Sequence, residues 1–164
     1  MTLENILMFH DIKMNTEFLQ VVRAFRDTGV PFAVTGSWAI KLHAERLGLN
    51  PHRPPRDFDF SVRTFEPFVA ALSKLGYRLD GFPRAGAKRV TLKKWPYEVD
   101  LLRAGGPLAP SLNRVNRYRN IPVATIRNMA SQKQNILNTI ANTKARRNLN
   151  FLVVLENFSA PRSR

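Results

Sequence analysis

Apolar residues follow two rhythms along this chain, and their alternation lays out its elements. Met14, Phe18, Val21, Val22 and Phe25 recur at near-helical spacing, and Gly29 with Pro31 stops the run, which predicts an amphipathic helix over 14–28. The short apolar run Phe32 to Thr35 predicts a strand, and Gly36-Ser37 turns from it directly into a helix that stops near Leu47, at Gly48. Asn50 to Arg56 holds three prolines, which fix φ and remove donors, so it is a loop. Asp57 to Arg63 is the second strand. Its period of two sends Asp57 and Asp59 to one face and Phe58 and Phe60 to the other.

Further on, Thr64 reads as the N-cap of a helix whose Phe68, Leu72 and Leu75 share one side, with Gly76 at its end. Tyr77 to Phe82 is expected as an edge strand, and Lys88 to Leu92 and Tyr97 to Leu102 as two strands joined through Lys93 to Pro96. Gly105 to Pro110 breaks the pattern, and a loop or short helix is expected near Ser111 to Tyr118. Thr125 caps a helix carrying Ile126, Met129, Ile136, Leu137 and Ile140, and a last helix runs from about Lys144 to Phe158. The order of elements gives an α+β chain with a small mixed sheet and a helical C-terminal third.

With 164 residues, 44% of them hydrophobic, the chain has enough apolar material for one domain spanning 1–164. It has no cysteine, so disulfides, thiolate zinc sites and cysteine nucleophiles are excluded. A soluble, unprocessed cytoplasmic protein without membrane association is expected, since no apolar run approaches the ~18 residues a bilayer span needs. Charge alters the picture most. The formal net charge is +14, and residues 101–164 hold eleven Lys and Arg against one acid, Glu156. Such asymmetry points to a polyanionic partner, with nucleic acid the most common. His10, His43 and His52 show no metal-ligand spacing and are expected on the surface or in ordinary packing, and Trp38 and Trp95 as core or edge anchors.

Two like charges side by side on one strand face repel. Asp57 and Asp59 make physical sense beside a divalent cation or in open water. A third carboxylate, Asp100, lies in a later strand, Tyr97-Glu98-Val99-Asp100-Leu101-Leu102. The apolar strand ending in Gly36-Ser37, the helix after it, the run Asp57-Phe58-Asp59-Phe60 and the later Val99-Asp100-Leu101 together resemble the DNA polymerase β-like nucleotidyltransferase superfamily. Within it the chain looks most like the small nucleotidyltransferases of toxin-antitoxin and abortive-infection systems. The likeness covers roughly residues 30–103, and extends weakly into the helix from Thr125.

The resemblance implies a small mixed sheet with helices on one face, and a metal-dependent transfer of a nucleoside monophosphate from an NTP to an acceptor hydroxyl. Asp57, Asp59 and Asp100 would be the catalytic, metal-holding carboxylates for Mg2+ or Mn2+, because a hard cation prefers carboxylate and phosphate oxygens. Gly36, Ser37, Arg53, Arg56 and Lys133 would bind the nucleotide, Gly36 by letting phosphate approach the backbone. Lys88, Arg89, Lys93 and Lys94 would meet the phosphates of an RNA acceptor such as a tRNA end, which the basic balance favours over a small metabolite or a protein side chain. A cognate antitoxin is a possible partner, and the alternatives are a non-catalytic nucleic-acid-binding or regulatory domain of the same shape, or a nucleotidyltransferase acting on a small molecule or a protein.

Overall fold

The first helix lies in a stretch free of glycine and proline before Gly29: α1 spans Leu3–Asp27 and begins well before Met14. In the computed structural model, which describes residues 3–49, 57–139 and 143–159, it is followed by β1 (Phe32–Thr35), α2 (Gly36–Arg46), β2 (Phe58–Val62) and α3 (Glu66–Lys74). Then come β3 (Arg78–Leu79), β4 (Arg89–Lys94), β5 (Tyr97–Arg103), β6 (Val115–Tyr118), β7 (Ile121–Ala124), α4 (Ile126–Thr139) and α5 (Thr143–Ser159). Thr125 does cap α4, accepting from the Asn128 N–H at 3.1 Å through its hydroxyl. Thr64 does not cap α3: Phe65 holds the N-cap position without a side-chain bond, and Pro67 fits in the first turn, second in the helix, because its missing N–H costs nothing there. No helix among the described residues is long and apolar enough to cross a membrane.

The strands form one mixed seven-stranded sheet in the order β3-β4-β5-β2-β1-β7-β6. β6 corrects the second half of the loop or short helix expected at 111–118, and β7 pairs with it. Their two-residue turn, Arg119-Asn120, takes φ of 50° and 63°, which matches the twist of a tight hairpin. β7 then lies parallel to β1, with Val34 beside Val123.

One face of the sheet carries an aromatic core. Phe58, Phe60 and Val62 of β2 are fully buried. The Phe25 ring of α1 sits 4.6 Å from Phe60 and 4.8 Å from Phe68 of α3, and Trp38 of α2 stacks at 4.0 Å on Phe18. Each such ring contributes ~2–3 kcal/mol by leaving water, so α1, α2 and α3 are fastened to this face and the opposite face is left for polar residues. Trp38 is thus the core anchor expected; Trp95, 94% exposed in the β4–β5 turn, is not.

His43 on α2 is buried, with Nε2 2.8 Å from the Ala124 carbonyl of β7. A carbonyl only accepts, so Nε2 carries the proton and Nδ1 does not. Burial pushes the imidazole below its ordinary pKa of 6.5; the bond to Ala124 works the other way, and Arg46 adds slightly to the lowering. As pH falls, the unfolded chain therefore takes up this proton first. The stability that neutral His43 contributes is complete above 6.5 and is lost as pH drops from there toward the folded value. Melts over this window should show the natural chain losing more Tm than His43→Gln; parallel curves would remove His43 as the cause.

Candidate active site

Strand register assembles the site. β1 places Thr35 beside Asp59, β5 places Asp100 beside Asp59, and β4 places Thr91 beside Asp100. Directly paired residues turn their side chains to the same face. A row reading Thr35, Asp59, Asp100, Thr91 therefore crosses four strands on the face opposite the aromatic core, and Asp57 stands just ahead of β2 at its lip. Asp100 is buried, while Asp57 and Asp59 are half-buried.

Gly36 backs this row. It has φ of +64°, and a Cβ built on it would overlap Oδ2 of Asp59 and come 3.1 Å from that residue's Cβ and Cγ. Only glycine lets the β1–α2 turn and the carboxylate share this space. The start of α2 is otherwise open: Thr35 at the N-cap makes no side-chain cap bond, and the first turn holds no acid. The positive end of the α2 dipole thus lies against the Asp59 carboxylate, an arrangement suited to negative charge at this turn. Ser37 lies in this first turn, half-buried.

Asp100 is held from β4. Its Oδ1 accepts a short hydrogen bond from the Thr91 hydroxyl and lies 3.2 Å from Arg89 Nε, which is itself 3.1 Å from Thr91 Oγ1. Arg89 is 53% exposed, so the ion pair is worth only ~0–1 kcal/mol. Its consequence is orientation. With Oδ1 engaged, Oδ2 is the oxygen left to face a reactant. One step further along the same face Ser61 is buried and donates to the Pro110 carbonyl at 2.6 Å, while Gln132 of α4 reaches the Pro107 carbonyl at 3.4 Å. The segment after β5 thus roofs the face at Ser61 and leaves it open at Asp59.

The expected basic residues do not lie on one surface. Arg89, Thr91 and Lys93 alternate with buried Val90 and Leu92, and this alternation sends Lys94 to the core side. There Lys94 pairs closely with Glu17 and lies 4.9 Å above the Tyr77 ring, and Tyr77 donates to Glu17 at 2.9 Å. Burial, with the bond to Glu17 second, pushes the Tyr77 hydroxyl's pKa upward. Lys94 therefore ties β4 to α1 and stands apart from any acceptor surface. Lys93 bonds Asp80 at 2.9 Å and lies 3.6 Å from Glu98, and Asp80 is the main reason its pKa is raised. Lys88 is exposed, and Lys133 is half-buried on α4 beside Gln132. Arg53 and Arg56 lie outside the described residues.

For a divalent cation the donors are of the right kind: two carboxylates on neighbouring strands facing one way, backed by a glycine that admits no side chain. Among the described residues no three acidic, histidine or cysteine groups close round a point. What stands there is a two-carboxylate shelf with Asp57 at its edge. Sequence reasoning missed Thr91 and Ser61. Thr91 could have been found only by fixing the β4–β5 register, which sets it opposite Asp100.

No protein-family model and no curated protein matches the chain. By structure it is similar to ANT(2'')-Ia in complex with adenylyl-2''-tobramycin, with a TM-score of 0.63 at 13% identity over 89% of this chain and 94% of that one. The solution structure of the antibiotic-resistance factor ANT(2'')-Ia gives 0.60 at 14% identity, covering 90% of each chain. The lincomycin-bound lincosamide antibiotic adenylyltransferase LnuA gives 0.57 at 15% identity over 85% of this chain and 96% of that one. At these identities the likeness is one of fold: the chain has the nucleotidyltransferase fold expected from its motifs. Closeness to the toxin-antitoxin branch gains no support from these three.

Proposed function

We propose that the chain is a metal-dependent nucleotidyltransferase that moves a nucleoside monophosphate from an NTP to a hydroxyl of a small-molecule acceptor. The observation that carries this reading is the Asp59–Asp100 shelf beside the start of α2, with Gly36 packed against Asp59. Fold supports it, and so do the neighbours: one was solved with adenylyl-2''-tobramycin and another with lincomycin, both small molecules. A polynucleotide acceptor is the second reading, favoured by the net charge of +14 and the near absence of acids after residue 100.

In this reading the first turn of α2, with Ser37, binds phosphate oxygens through its N–H groups. Mg2+ or Mn2+, held by Asp57, Asp59 and Asp100, would neutralise the charge that builds on the departing pyrophosphate. Thr91 and Arg89 fix the Asp100 carboxylate through Oδ1, so that Oδ2 accepts the proton of the acceptor hydroxyl. The acceptor oxygen then bonds to the α-phosphorus as the bond from that phosphorus to the bridging oxygen breaks. Pyrophosphate leaves with that electron pair.

Incubation with each labelled NTP, Mg2+ or Mn2+, and a panel of hydroxyl compounds beside bulk RNA tests the proposal, with Asp57→Ala Asp59→Ala as control. Label transferred to a small acceptor and lost in the control is the expected result. Transfer to RNA alone would select the second reading, and RNA binding without transfer from any NTP would point to a non-catalytic domain.

A further inference from the structure

The segment joining β3 to β4, residues 80–88, stands off the sheet and encloses with β4 an open cleft of about 510 Å3. Arg89 and Thr91 line it, and these are the side chains bonded to Oδ1 of Asp100. The cleft therefore opens beside the carboxylate that receives the acceptor's proton in the transfer proposed above. Its volume lies within the range that holds a nucleoside-sized ligand.

The chemistry of the cleft is one-sided. Arg84 and Lys88 are exposed on the loop, and among the described residues neither has an ion-pair partner. Arg89, the other cation in the lining, is engaged by Asp100 at 3.2 Å, so Arg84 and Lys88 are the two loose ones. The single acid in the lining, Asp80, is already held by Lys93 at 2.9 Å, so it offers little to a positively charged ligand. Phe82 stands at the rim 99% exposed, a ring with nothing against it. Loose cations attract phosphate and repel ammonium groups, and an exposed ring gives a flat ligand group something to stack on.

We propose that this cleft is the acceptor subsite, and that it takes a hydroxyl compound carrying both a phosphate and a flat ring while turning away polycations. The inference rests on the transferase reading for the word acceptor, and on the cleft alone for the ligand chemistry. A free nucleoside monophosphate and the terminal nucleotide of an RNA share that chemistry.

Equilibrium titration tests it, with the triphosphate site filled by a nonhydrolysable ATP analogue and Mg2+. One arm uses fluorescent adenosine monophosphate, and the other a short fluorescent oligoribonucleotide with a free 3' hydroxyl. Arg84→Glu Lys88→Glu should weaken at least one probe about tenfold or more and flatten its salt dependence, and Phe82→Ser should weaken it several-fold. The arm that responds identifies the source of the phosphate. Both probes binding the double variant as tightly as the natural chain would overturn the proposal, as would a polycationic aminoglycoside that outcompetes them. Label transfer from NTP is read in parallel: its failure with every acceptor defeats the transferase reading, while the titrations still judge the cleft.

Discussion

Asp59→Asn is expected to reduce nucleotidyl transfer by about 10^3-fold or more, roughly 4 kcal/mol of transition-state stabilisation, while the protein stays folded. Asparagine keeps the shape of aspartate, so Gly36 and Thr35 lose no packing partner. What disappears is the negative charge that a cation and a triphosphate need between α2 and β5. Asp59 sits directly beside Asp100 on the neighbouring strand, and like charges in such a pair cost ~0.2–1 kcal/mol. The variant should therefore keep a cooperative melt close to that of the natural chain. Labelled transfer and a thermal melt check both halves. Full activity in a folded variant would remove Asp59 from the chemistry, whereas a collapsed melting temperature would make it a structural residue.

The second large effect belongs to Gly36→Ala. Alanine there must adopt φ near +64°, a conformation that costs a non-glycine residue ~1–3 kcal/mol. Its methyl must also occupy space held by the Asp59 carboxylate, so either the β1–α2 turn or Asp59 moves. Displacing a reacting group by ~1 Å costs ~10^2-fold in rate. Stability should therefore fall by about 1–3 kcal/mol and transfer by at least about 10^2-fold, with the NTP KM raised because the start of α2 shifts with the turn. Gly48→Ala is the comparison: Gly48 also has positive φ, but among the described residues, its chain neighbours aside, no atom lies within 4 Å of a Cβ built there. It should show the stability loss alone. Equal loss of activity in both would mean that strain, not the contact with Asp59, is what matters.

Much of this site could be read before any coordinate. The alternation Asp57-Phe58-Asp59-Phe60 settles which side chains enter the core, and both phenylalanines are fully buried. Gly36-Ser37 after an apolar strand opens α2 as expected. Lys94 shows where such reading ends. In sequence it is one more cation next to Lys93, yet one step along a strand reverses the face, and it closes on Glu17 instead. The β6–β7 hairpin escaped because its turn is Arg119-Asn120, with no glycine to announce the positive φ.

What the sequence determined by itself is local: the helices and most strands, the acid pair on one strand face, the glycine before the helix, and the α+β class. These follow from the period of the backbone and the conformational limits of single residues, which act over a few positions. The tertiary structure decided what lies side by side. Asp59 meets Asp100 across forty-one positions of chain, Thr91 and Arg89 turn onto Asp100, and the 80–88 segment opens a basic cleft beside them. Register and strand order come from burying one aromatic face against three helices at once, and no window of sequence holds all the partners of that packing.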